Sequence, residues 1–137
     1  MLRFVALSGL VLIGAAPPPV QYPPGVGVLR MMAFVDVTAE AGRRCFPDQN
    51  PAFQARIERA EAQFDAYFLK NTPATPEQLA KFKREQASVG DPTFDCRADG
   101  DSVPIYKHLQ TVDQQQLTSG IDELLARPGK PSFGDCT

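Results

Sequence analysis

The chain has 137 residues, with 14 lysines and arginines against 16 aspartates and glutamates, a length that fits one domain. Hydrophobic residues at 43% and charged residues at 22% are a globular balance and speak against wholesale disorder. A net charge of −2 gives no basic field for phosphates, so nucleic-acid binding has little electrostatic support, and a single histidine, His108, removes most metal sites and most histidine-based catalytic pairs.

The first sixteen residues read as a secretory signal peptide. Met1-Leu2-Arg3 is a positive start, Phe4 to Ile13 an apolar run, and Gly14, Ala15 and Ala16 a small-residue exit. The run is too short to span a bilayer, which takes roughly 20 residues. Pro17 is a poor residue to follow a cleavage point, so cutting after Ala15 or after Ala16 both stay open. No cysteine follows the run to carry a lipoprotein anchor. Without Arg3 the mature chain has 13 basic and 16 acidic side chains. Residues 17–27 hold five prolines and two glycines and are expected to form an extended spacer. Residues 28–137 are then a single helical domain.

Val28 to Cys45 places Val28, Met32, Val35, Ala39 and Gly42 on one helical face, and Met31, Phe34, Thr38, Ala41 and Cys45 on a second. A helix apolar over most of its circumference is central and buried. The rival reading is a strand, because Phe34, Val35 and Val37 favour extended backbone. Asp36 is expected on an exposed stripe with Glu40 and Arg43, with a buried functional acid as the alternative.

Asn50 can cap a second helix that opens on Pro51. Phe53, Ile57, Ala60, Phe64, Tyr67 and Phe68 supply its apolar stripe, and Asn71 is expected to end it in a left-handed conformation. Thr75-Pro76-Glu77-Gln78 is a capping box that starts a third helix. Leu79 and Phe82 face inward there, Lys81, Lys83, Arg84 and Glu85 face water, and Gly90 terminates it. A turn-rich loop runs from Gly90 to Pro104. A short fourth helix begins at Ser102 or Pro104, and a fifth covers Asp113 to Arg127 unless Gly120 delays it to Ser119. The pattern predicts an all-α fold: a compact bundle of four to five helices after a signal peptide and a proline-rich spacer. Its core should contain Met32, Val35, Phe53, Ile57, Phe64, Phe68, Leu79, Phe82, Leu109, Leu117, Ile121 and Leu124.

Cys45, Cys96 and Cys136 show no CxxC spacing. In an oxidising compartment two of them should pair. Cys45 lies just before the second helix and Cys96 just after the third, so the two ends of that hairpin bring them together. Cys45–Cys96 is the first choice and Cys96–Cys136 the second.

Few residues suggest chemistry. Asp95, Asp99 and Gly100 match an EF-hand loop at positions one, five and six, but Arg97 stands where a ligand belongs and Tyr106 where a bidentate Glu should be. A solvated acidic turn is the better reading. His108 has Ser102, Asp101 and Asp113 near it in sequence, with nothing to fix their geometry, and a surface histidine is the default. Cys45 follows Arg43 and Arg44, yet a helix end opposes a thiolate, so disulfide use is preferred. No phosphate-loop glycine pattern occurs. No catalytic, cofactor-binding or metal-binding residue is therefore assigned, and no cofactor is expected.

These features point to an exported protein, periplasmic or secreted, that binds another envelope protein or a cell-wall component without catalysis. Nucleic acid is not an expected partner. One alternative is a small hydrolase or thiol enzyme using His108 or an unpaired cysteine. Another is a chain tethered at the inner membrane by an uncleaved signal, the one case that gives membrane contact.

Overall fold

The structure, a computed structural model, describes residues 22–135; residues 1–16, expected to be a signal peptide, residues 17–21 of the expected spacer, and Cys136 and Thr137 lie outside them. The fold is all-α, with helices α1 (Val28–Cys45), α2 (Pro51–Asn71), α3 (Pro76–Ala87), α4 (Ser102–Thr111) and α5 (Gln114–Leu125). The strand alternative for residues 28–45 is replaced by one continuous helix. No helix among the described residues is long and apolar enough to cross a membrane.

Helix α1 is central: α2, α3 and α4 all pack on it, and α5 packs on α2. Val28, Met32, Val35, Thr38, Ala39 and Ala41 have no exposed surface, as its apolar circumference predicts. Gly42 lets α2 approach closely, because a Cβ there would collide with the Gln54 side chain. Gln54 crosses that contact and donates to the Ala39 carbonyl at 3.1 Å.

The caps decide where helices start. Asn50 accepts from the Phe53 N–H, and Thr75 with Gln78 forms a complete capping box. Asp113 accepts from the Gln116 N–H, so α5 begins at Gln114 and runs through Gly120 without delay. Two helix ends differ from expectation. Asn71 stays helical, donates to the Tyr67 carbonyl and accepts from the Gly129 N–H, so its side chain ties α2 to the tail instead of turning the chain. Helix α3 stops at Ala87 because Ser88 itself takes the left-handed conformation, φ 54°, ahead of Gly90.

Seven of the expected core residues are buried: Met32, Val35, Phe53, Ile57, Phe64, Leu79 and Ile121. Phe68, Phe82, Leu109, Leu117 and Leu124 pack against them while partly exposed. Tyr67 and Tyr106 join the core because each hydroxyl has a partner. The Tyr67 hydroxyl meets the Arg127 and Gly129 carbonyls, and the Tyr106 hydroxyl accepts from Gln110. The Tyr106 ring stacks on Phe46 at 4.5 Å and meets Phe53 edge-on at 5.5 Å.

The spacer is not extended throughout. Residues 24–27 form turns that clasp the tail: the Ser132 N–H donates to the Gly25 carbonyl, and the Leu29 N–H donates to the Ser132 carbonyl. Gly25 sits at φ 83° with the Lys130 carbonyl where a Cβ would go, so glycine is needed there for both conformation and space.

Cys45 and Cys96 form a disulfide with Cα atoms 5.4 Å apart, within the ordinary range. Cys96 is thereby unavailable to Cys136, which removes the second-choice pairing. The bond fixes the loop after α3 to the end of α1.

Candidate functional site

Two constellations stand out, a charged cluster inside the α1–α2–α3 seam and a pocket on the α1–α3–α4 face. The cluster corrects two expectations. Asp36 is not on an exposed stripe but 1% exposed, and Lys83 does not face water but is 8% exposed. Leu79, Lys83 and Ala87 occupy one face of α3 at steps of four, and that face packs inward. The Lys83 ammonium donates to Glu61 at 3.0 Å and to both oxygens of Asp65 at 3.0 Å, and lies 3.4 Å from Asp36 Oδ1. Arg43 bridges Glu61 and Glu40 at 2.9 Å each. Glu40 also accepts from Arg44 and from the Gly90 N–H, which holds the loop after α3 against α1.

Burial is the largest influence on Asp36 and pushes its carboxyl up to about 7, with the negative charges of Glu61 and Asp65 adding to it against the pull of Lys83. Glu40 and Glu61 behave oppositely. Burial also works to raise them, but hydrogen bonds to Arg43, Lys83 and the Gly90 N–H and the neighbouring cations hold both below the usual range. Burial opposes the Lys83 ammonium, and the surrounding carboxylates outweigh it and raise its pKa. The cluster is thus a structural clamp among three helices. Asp36 is absent from the lining of the pocket beside it.

That pocket has a volume of about 340 Å³. Ala33, Phe34 and Val37 of α1, Ala87 at the end of α3, Phe94 of the loop and Ile105 of α4 give its apolar surface. Gln86, Ser88, Thr93 and Ser102 add polar groups, and Asp91, Asp95 and Asp101 add three carboxylates. Phe34 is 43% exposed although it lies on the most buried helix of the fold. The disulfide and the Glu40–Gly90 hydrogen bond hold the loop that forms one wall.

The three carboxylates differ in commitment. Asp91 accepts from the Thr93 N–H and hydroxyl at 2.8 Å, and these bonds lower its pKa. Asp95 is paired with the Arg97 guanidinium at 2.9 Å, which lowers it too. Asp101 precedes α4 but makes no side-chain capping bond, and no hydrogen bond or ion pair engages its carboxylate among the described residues. A second depression, of about 530 Å³, lies beside Tyr22 and Phe133 where the described chain begins and ends.

The residues weighed from sequence are not brought together. His108 is exposed, Ser102 is buried in the first turn of α4, and the Asp113 carboxylate caps α5. No hydrogen bond joins them among the described residues. In the acidic turn Arg97 folds onto Asp95, so the residue at the third loop position fills the space with a cation. Among the described residues no group of three or more His, Cys, Asp or Glu side chains is placed to hold a metal ion. Sequence reasoning missed the pocket because Phe34 read as part of a helix apolar over most of its circumference, Asp91 as a turn marker and Asp101 as a sequence neighbour of His108.

Compared with protein-family models, curated proteins and solved structures, the chain matches none.

Proposed function

We propose that this chain is an exported protein, periplasmic or secreted, that works by binding another protein or an envelope component through the α1–α3–α4 pocket, without catalysing a reaction. The observation that carries the reading is Phe34. A large aromatic side chain stays 43% exposed at a pocket on the central helix, where burial is otherwise the rule. The pocket's size is at the lower end of the usual range for ligand sites. One wall is held by a covalent bond and a part-buried hydrogen bond, so little ordering of that loop is lost on binding. The signal-like N-terminus and the disulfide support export.

The test isolates tagged protein from the envelope fraction as wild type, Phe34→Glu and Glu123→Ala. Glu123 is exposed on α5 and lies outside the pocket lining. Material kept by wild type and Glu123→Ala but lost by Phe34→Glu supports the reading. Loss in neither variant, or turnover of a generic ester, peptide or glycan that His108→Ala abolishes, overturns it.

A further inference from the structure

We infer that the α1–α3–α4 pocket receives an arginine side chain presented by a partner polypeptide, an inference that rests on the binding reading above and names its ligand chemistry. Three carboxylates and no cationic side chain line the pocket, beside the exposed ring of Phe34. The charge is not uniform. Asp95 is neutralised by Arg97, and Arg44 and Arg84 act on Asp91 from outside the lining. Asp101 is exposed, and no hydrogen bond or ion pair engages its carboxylate among the described residues. An incoming cation therefore meets one uncommitted carboxylate and a second, Asp91, held in a fixed position by Thr93.

A guanidinium fits this arrangement better than an ammonium. Its plane can lie on an aromatic ring while its edge donates to a carboxylate, and it gives up hydration more readily. Ala33, Val37 and Ile105 offer apolar surface to the methylene stem that carries it. The choice of a polypeptide over a free small cation follows from the exposed ring. The pocket opens to solvent, and the 43% exposed Phe34 offers apolar surface to what flanks the side chain.

Titration of the isotope-labelled, disulfide-bonded chain, followed by backbone amide resonances, tests this with three probes. They are acetyl-Leu-Arg-Leu-amide, its neutral counterpart acetyl-Leu-Gln-Leu-amide, and methylguanidinium. The arginine peptide should shift the amides of Phe34, Ser88 and Ile105 and bind about tenfold more tightly than the glutamine peptide, with the difference shrinking as salt is added. Asp101→Asn should remove most of that preference, and its amide spectrum reports at once whether the variant is folded. Equal binding of the two peptides overturns the charge argument, and equal binding of methylguanidinium overturns the polypeptide source. Absence of pocket shifts with all three overturns the inference. Partner loss in Phe34→Glu is read independently, so the binding reading stands or falls apart from these results.

Discussion

Replacing Asp36 by Asn should make the protein more stable at pH 8 and leave it nearly unchanged at pH 4. The sign follows from linkage. Asp36 titrates near 3.8 when unfolded and near 7 in the fold, so the native state binds a proton that the unfolded state has released between these values. Stability from this group is complete below about 3.8 and is lost as pH rises through about 7. A gap of about three units corresponds to an upper bound of about 4 kcal/mol. Asn keeps the shape and removes the charge that α1 must otherwise bury against Glu61 and Asp65, so the variant should gain up to that amount at high pH. Glu40 and Glu61, held low, contribute in the opposite direction. Their stability is present above their ordinary pKa and is lost as pH falls. Comparing variant with wild type at each pH largely cancels their contribution. Urea unfolding of both proteins at pH 4, 5.5, 7 and 8.5, with the disulfide intact, gives the curve. A pH-independent difference, or a less stable variant at pH 8, would show that ionised Asp36 is a net asset through Lys83 and would refute the reasoning.

Lys83→Met should cost about 3–5 kcal/mol at pH 8 by leaving buried carboxylates without their cation, and adding Asp36→Asn should recover part of it in a double-mutant cycle. Loss of the Cys45–Cys96 bond, measured as a paired Cys→Ser variant, should cost roughly 4 kcal/mol for a closed loop of this length in the chain-entropy model. Non-reducing peptide mapping of protein taken from cells should show that linkage, with three free thiols as the contrary result. Phe64→Ala, at a site with no exposed surface, should cost about 3–5 kcal/mol by denaturant melt.

The helices were legible because their signals are local. Asn50-Pro51 and Thr75-Pro76-Glu77-Gln78 carry their caps within four residues, and the α2 stripe from Phe53 to Phe68 repeats at helical spacing. The Cys45–Cys96 pairing was legible because the hairpin brings its own ends together. The charged seam was not. Asp36, Glu61, Asp65 and Lys83 come from three helices, and each alone looks like a solvated charge. A signal was present: Lys83 lies midway between Leu79 and Ala87 on an inward face, and Asp36 follows Met32 by one turn. A lone cation in one apolar stripe and a lone anion in another can satisfy each other. The pocket had no sequence signal, since the side of α1 left uncovered depends on where α4 and the loop after α3 come to rest.

Site-specific photo-crosslinking in living cells addresses the binding account most directly. A photoreactive residue at position 34 should give a discrete adduct from the disulfide-bonded protein, and the same residue at position 123 should give none. Adducts of equal yield at both positions, or none at position 34, would contradict the claim that the α1–α3–α4 pocket is the working surface.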